Sequence, residues 1–295
     1  MLLDIFRYFK EDPKINKLVG RDYLFAEYKC PLQDEKYQFI SEFDFITFVV
    51  TGKKDWFTSG KMYHVKEGSA LYIRKGVYTT KQYVHEDHSV LTCFITDDFV
   101  RNFMRENAEL SVVDGKGEPA THDQIFEIDI NDTLKSLFLS MFNYLSMRSK
   151  IPTNLVELKF KELLFNVILN EKNGKLAQFL ASLNQTNKWN FEEVMMKNFH
   201  IDLELEEFAR LCGRSLSTFK RDFKNFFRQT PGKWLIDRRL EYASTLLISS
   251  DLNVSEICYE SGFKNSSHFN KAFKDRYQLP PKQFRERRKN AVMVE

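Results

Sequence analysis

Hydrophobic and polar positions change period twice along this chain. From residue 18 to about 128 they follow the two-residue period of strands. QFISEFDFITFVVTG (38–52) alternates and then becomes a continuous apolar, β-branched run. KMYHVKEGSALYIRKG (61–76) predicts two short strands, broken at Glu67-Gly68 and closed at Lys75-Gly76. VYTTKQYVHEDHSVLTCFI (77–95) repeats the pattern around a polar turn at His85–Ser89. Short strands at spacings of about 8–12 residues predict a sandwich or small barrel. DDFVRNFMREN (97–107) predicts a helix capped by Asp97, and DGKGEPATHD (114–123) is rich in turn formers.

Between 131 and 184 the period becomes helical. Leu134, Leu137, Phe138, Met141, Phe142 and Leu145 recur at spacings of three and four, one apolar stripe. Pro152-Thr153-Asn154 ends that helix. A second stripe is expected at Leu155, Leu158, Leu163, Phe165, Val167 and Leu169, stopped by Asn173-Gly174. Two antiparallel helices of this kind either complete the preceding core or form a dimer seam, and the pattern alone does not separate the two.

Residues 189–290 are helical throughout, and here the pattern becomes specific. In FARLCGRSLSTFKRDFKNFF (208–227), Asp202 is expected to cap a first helix with Glu204, Glu206 and Glu207 in its opening turn. Gly213 ends it, because a tight helix-to-helix turn needs positive φ. Ser215 caps a second helix with Leu216, Phe219, Phe223 and Phe226 inside and Ser217, Lys220, Arg221 and Lys224 outside. SEICYESGFKNSSHFNKAFKDRY (255–277) repeats the design. Asn253 and Glu256 form a capping box, Gly262 takes the role of Gly213, and Asn265 caps a helix with Phe269 and Phe273 inside. The two glycines lie 49 residues apart, an internal repeat, and KWLIDRRLEYASTLL (233–247) connects the units behind Thr230-Pro231-Gly232.

Composition refines this reading. A chain of 295 residues corresponds to about two domains, and 28 Phe, 12 Tyr and 3 Trp supply enough apolar surface for two cores. The whole-chain charge is only +3, but it is unevenly spread. Residues 187–295 hold 20 of the 44 basic and 15 of the 41 acidic side chains, a surplus of five positive charges, and the remainder carries −2. Cys30, Cys93, Cys212 and Cys258 show no metal-ligand spacing and read as buried thiols of a reducing compartment. MLLDIFRYFKEDPK lacks a secretory pattern, and no run of about 18 apolar residues exists, so the expected location is cytoplasmic with no membrane partner.

With these motifs in place, the C-terminal region resembles the DNA-binding domain of the AraC/XylS family of bacterial transcription regulators. The resemblance rests on Gly262-Phe263, Phe269 and AFKDRYQLPPKQFR (272–285), and covers about 95 residues. Arg214 departs from it, standing where an aromatic residue or Met is common, as does Cys258 in place of a frequent alanine. The resemblance implies two recognition helices entering successive major grooves about 34 Å apart. Carried over, it makes Ser217, Lys220 and Arg221 base-contacting on the first helix, and Ser266, Ser267, His268, Asn270 and Lys271 on the second. Ser215, Lys224, Asn265 and Lys274 fall to phosphates. The plainer alternatives are a solvated face for Lys220, Arg221 and Lys224, capping alone for Ser266 and Ser267, and a surface histidine for His268.

For residues 1–186 the resemblance implies a cupin-like β-barrel or sandwich that serves regulation, with the helical part 131–184 used for dimerisation; 187–295 is then the DNA-binding domain. The expected fold is thus α+β with two domains, the second all-α with two helix-turn-helix units on a connector helix. GSALYIRKG (68–76) resembles the family's strand and turn, with Lys75 where Pro is usual. A metal-dependent cupin enzyme needs clustered ligands; His64, Glu67, His85 and His88 do not stand in such a register, so no metal, cofactor or catalytic residue is assigned. Trp56, Tyr63, Tyr72, Tyr78 and Tyr83 are candidates to line an effector pocket. A looser similarity over most of the chain, through GSALYIRKGVYTT, ELKFKELLF (157–165) and WNFEEVMMKNF, points to the type III secretion activators of this family. That branch implies self-association and a protein antagonist in place of a small-molecule effector. The expected partners are double-stranded DNA, RNA polymerase and a second copy of the chain, in an activator.

Overall fold

The computed structural model describes residues 3–29, 36–58, 61–83, 88–111, 123–145, 147, 151–185 and 191–292. Cys30, His85, most of the turn-rich stretch 114–123 and the expected boundary at 186/187 lie outside the described residues. The chain divides into two compact units, Met1–Lys188 and Trp189–Glu295.

The first unit opens with β1 (Leu3–Asp4) and α1 (Ile5–Glu11), followed by β2 (Lys17–Val19), β3 (Tyr23–Lys29), β4 (Lys36–Ser41), β5 (Asp44–Thr51), β6 (Lys53–Thr58), β7 (Lys61–Lys66), β8 (Ala70–Ile73), β9 (Gly76–Gln82) and β10 (Ser89–Ile95). Then come α2 (Asp97–Glu106), β11 (Ile125–Ile128), α3 (Asp132–Leu145), α4 (Thr153–Leu169) and α5 (Gly174–Gln185). The strands form two sheets, β1-β4-β9-β6-β7 and β11-β8-β5-β10-β3-β2. All pairings are antiparallel except β1 with β4. The run 38–52 is two strands, not one, because Glu42-Phe43 turn the chain from the five-stranded into the six-stranded sheet.

The six-stranded sheet is covered on both faces, which is why β5 and β10 lack a polar side. Facing the other sheet are Leu24, Phe45, Val49, Leu71, Val90 and Phe94, packed against Phe39, Trp56, Tyr63, Val65 and Tyr78. On the opposite face Phe25, Ile46, Phe48, Tyr72, Leu91 and Cys93 meet α2–α5. There the Phe48 and Phe138 rings stack at 4.6 Å, and Tyr23 stacks on Phe160 at 4.7 Å.

The helical stripes are therefore spent on the core of their own unit. Leu134, Leu137, Phe138, Met141 and Leu145 are buried as the spacing predicts. On α4 Leu163 and Val167 of the expected stripe are buried and Phe165 packs partly buried against the core, but the ends of the stripe are misplaced. Val156, Phe160, Leu163, Leu164, Val167 and Ile168 are buried, while Leu158 and Leu169 are 60% and 66% exposed. The inward set recurs at four, three, one, three and one, a wider stripe than the expected positions describe. At α2 the cap is Thr96, whose hydroxyl accepts the Phe99 N–H at 3.1 Å. Asp97 instead binds Lys75 at 3.0 Å, and the Lys75 backbone N–H donates to Asp44 at 2.8 Å. Lys75 thus fills a proline position by tying the β8–β9 turn to α2; burial pushes its ammonium pKa down and that of Asp97 up.

Candidate nucleic-acid interface

The second unit contains α6 (Phe191–Asn198), α7 (Leu205–Leu211), α8 (Leu216–Phe227), α9 (Pro231–Ser249), α10 (Val254–Glu260), α11 (Ser266–Tyr277) and α12 (Pro281–Val292). Its helix starts are set by capping side chains. Ser215 accepts the Thr218 N–H at 3.3 Å, Asn265 that of His268 at 2.8 Å, and Asn253 that of Glu256 at 2.9 Å, with Glu256 accepting the Asn253 N–H in return. Asp202 is not a cap. The first helix starts behind Glu204, whose N–H donates to Glu207, and Asp202 and Glu204 both pair with Lys264.

Gly213 and Gly262 have φ of 63° and 87°, the left-handed value that lets the next segment double back. In each turn the glycine N–H donates three residues back, at 2.8 and 2.9 Å, and the next N–H five residues back, at 2.9 and 3.0 Å. Beyond the glycines the repeat runs at an offset of fifty, because the second turn holds one residue more. Phe219 and Phe269, Phe223 and Phe273 are fully buried pairs, with ring separations of 5.5 and 5.6 Å within each helix. Arg228 and Gln278 end the two helices in the left-handed conformation. Pro231 and Pro281 start the next helices. Trp234 and Phe284 pack edge-on against Phe223 and Phe273, at 6.0 and 5.3 Å.

The same offset superposes the outward residues. Ser217, Lys220, Arg221 and Lys224 are exposed on α8, and Ser267, Asn270, Lys271 and Lys274 on α11. At about 100° per residue each set is one stripe along the helix, opposite the phenylalanines. Ser266 and His268 are exposed too, but lie a residue to either side of the stripe, and the His268 ring packs edge-on against Phe263 at 5.6 Å. Ser215 and Asn265 stand at the helix N-termini with their side chains engaged in capping. Phe226 is a correction: it is 57% exposed, and Phe227, one helical step later, packs on Phe223 and Trp234 in its place.

Three arginines that motif reading missed brace this surface. Arg239 donates to the carbonyls of Phe199 and Ile201 at 2.6 and 2.8 Å. Arg276 bridges Asp237 and Glu241 of α9 at 2.8 and 2.6 Å. Arg285 donates to the carbonyls of Leu247, in the last turn of α9, and Leu252, just past its end, at 3.0 and 2.6 Å. Asp222 also escaped motif reading; Arg214 and Arg221 both reach it at 3.1 Å. The only sequence signal for it is the departure at Arg214.

In the first unit the described residues among those weighed as metal ligands, His64, Glu67 and His88, stand apart. His64 lies on β7 and is held by Asp55 at 2.5 Å, Glu67 stands exposed in a turn, and His88 is buried at the start of β10. Among the described residues no group of three or more His, Cys, Asp or Glu is placed to hold a metal. Burial, and then the Lys54 ammonium, lower the His88 pKa to about 4. Of the aromatic pocket candidates, Trp56, Tyr63 and Tyr78 point between the sheets. Tyr72 faces the helices and donates to Asp44 at 2.6 Å, and Tyr83 donates to Asp55 at 3.0 Å. The space left beside His88 and Lys54 is about 20 Å³, with Ile5 and Phe9 of α1 packed into it.

Two family models match the chain: the ExsA N-terminal regulatory domain over residues 44–179, and a helix-turn-helix domain over residues 208–287. The thermoregulatory protein LcrF of Yersinia pestis is 26% identical over 82% of this chain and 89% of its own. The HTH-type transcriptional regulator ExsA of Pseudomonas aeruginosa is 27% identical over 74% of this chain and 77% of its own. An HTH-type transcriptional regulator of Haemophilus influenzae is 38% identical over 28% of each chain.

Proposed function

The chain belongs to the AraC/XylS family of DNA-binding transcription regulators, and from this we propose that it is a sequence-specific activator reading two successive major grooves through α8 and α11. The observation that carries the reading is the duplicated exposed stripe: two capped helices, fifty residues apart in phase, each with its polar side chains opposite a buried phenylalanine pair. Arg221 is suited to a guanine and Asn270 to an adenine, with Ser217, Lys220, Ser266, Ser267, His268 and Lys271 sharing the base edges. Lys224, Lys274 and the capped helix starts at Ser215 and Asn265 take phosphates. RNA polymerase and a second copy of the chain complete the assembly, which works in the cytoplasm and carries out no enzymatic step.

Binding of the full chain to a randomised duplex library, followed by titration of the selected site, tests this. Arg221→Ala should weaken specific binding by about 1–3 kcal/mol and relax one base position. Lys274→Ala should weaken all sequences alike and flatten the salt dependence by about one phosphate. An Arg221→Ala protein with unchanged affinity and base preference would remove Arg221 from the readout and overturn the residue-level assignment.

A second reading concerns the signal. Among the described residues the interior between the sheets is packed with Phe9, Phe39, Phe45, Phe94 and Trp56, and the space beside His88 and Lys54 suits one water. That favours control of the first unit by a protein antagonist over control by a small-molecule effector.

A further inference from the structure

On the first recognition helix a carboxylate stands where the repeat does not call for one. Asp222 occupies the position that Ala272 holds on α11, so the packing of this fold has no need of it. It lies between two arginines. Arg214, in the helix-to-helix turn, donates through Nε to Asp222 Oδ2 at 3.1 Å, and through Nη1 to the Cys212 carbonyl at 3.1 Å. Arg221, beside Asp222 in sequence, donates through Nε to Oδ1 at 3.1 Å. The three side chains are graded in exposure, from 21% for Arg214 through 27% for Asp222 to 70% for Arg221. The chain of bonds therefore runs from the turn backbone out to the interface.

We propose that Asp222, held by Arg214, is a positioning residue for base reading: it takes the Nε–H of Arg221 and presents the two terminal amino groups end-on to a guanine. The inference rests on the reading of Arg221 as a base-contacting residue. A guanidinium has five N–H donors in a fixed fork. A bidentate contact to guanine O6 and N7 uses either both terminal nitrogens or Nε with one of them. With Nε engaged by the carboxylate, the end-on arrangement is the one left. The side chain also gives up rotamer freedom before it meets DNA.

An exposed Arg–Asp pair between adjacent residues is worth little by itself. What makes this one a support is that the carboxylate is fixed from behind. Arg214 is itself anchored to a backbone carbonyl, and the hydrogen bond from Arg214 is the leading cause that holds the Asp222 carboxyl below its usual range. The pair of arginines also outweighs the single carboxylate, so the DNA-facing surface stays positive. This gives Arg214 a role that the aromatic or Met common at its position would not fill.

The test uses the full chain and a randomised duplex library to define the preferred site, then compares four variants on that site and its single-base changes. Asp222→Asn keeps the shape and removes the charge. It should lower the preference for guanine at the Arg221 position about tenfold, and leave the other positions and the melting temperature unchanged. Arg214→Met should do the same, because the carboxylate loses its anchor. In an Arg221→Ala background, Asp222→Asn should add nothing. The proposal fails if Arg221→Ala relaxes one base position while Asp222→Asn leaves that position intact, or weakens every sequence equally. If Arg221→Ala relaxes no position, the base-reading role of Arg221 falls first and this inference with it.

Discussion

Gly262 and Gly213 occupy equivalent turns but answer to different constraints. Both have left-handed backbone, a conformation that costs about 1–2 kcal/mol for a residue with a Cβ. Around Gly213 a methyl group would meet open space. At Gly262 it would lie 2.8 Å from the His200 carbonyl oxygen and 2.9 Å from Arg239 Nε, the guanidinium that holds the 199–201 loop. The loop cannot back away without breaking those bonds. Gly213→Ala should therefore cost about 1–2 kcal/mol, and Gly262→Ala roughly 1–3 kcal/mol more, the cost of overpacking. Denaturant unfolding of the C-terminal unit within the full chain reads the difference. Equal costs would mean that the 199–201 loop yields freely. The need for glycine at both turns is visible in the sequence, since a helix stops and another starts within a few residues. The close approach is not, because its partner lies more than sixty residues away.

At the scale of elements, the structure turns two helix-turn-helix units into two three-helix units. α9 is the third helix of the first, packed through Trp234, and α12 the third of the second, packed through Phe284. α9 thus serves as both core element and connector. The caps at Ser215, Asn253 and Asn265 are legible in sequence because a capping bond spans three residues. The phase of the stripe on α8 is legible up to Phe223 and then fails at Phe226, since a helix carrying both Phe226 and Phe227 can bury only one of them at that step. The braces between helices are illegible, because Arg285 meets carbonyls 38 and 33 residues away. The Leu247 carbonyl belongs to the last turn of α9, where backbone oxygens lack helical partners, and that of Leu252 to the segment leading into α10. Arg285→Met should keep the packing of the stem and strand both carbonyls, costing about 1–3 kcal/mol. Melting of the C-terminal unit should drop by several degrees while the base preferences of the protein stay unchanged. A variant with wild-type melting would show that water serves these carbonyls equally well.

For the molecule as a whole, the open matter is how a signal enters the first unit. The strand content of that unit follows from alternation, and the unbroken apolar runs of β5 and β10 reflect a sheet covered on both faces. Neither pattern reveals that the N-terminal α1 inserts Ile5 and Phe9 between the sheets, since α1 meets β4, β10 and Tyr28 far along the chain. That insertion bears on the proposed choice between a small-molecule effector and a protein antagonist. A small-molecule effector needs a cavity of about 300–1,000 Å³; between the sheets aromatic rings leave about 20 Å³ beside His88 and Lys54, and the cleft between α2 and α4 beside Tyr23 holds about 150 Å³. Opening a site between the sheets would mean withdrawing Phe9, at a cost in the range of about 3–5 kcal/mol known for deleting a buried phenylalanine side chain. An effector would have to supply that energy before showing any net affinity. Thermal melting of the full chain against a broad metabolite library should therefore show no specific stabilisation, whereas a ligand present at a hundred times its Kd would add about 2.7 kcal/mol, a shift of several degrees. A specific hit would overturn the proposed control by a protein antagonist in favour of a small molecule, and loss of that hit on Phe9→Ala would identify α1 as a displaceable plug.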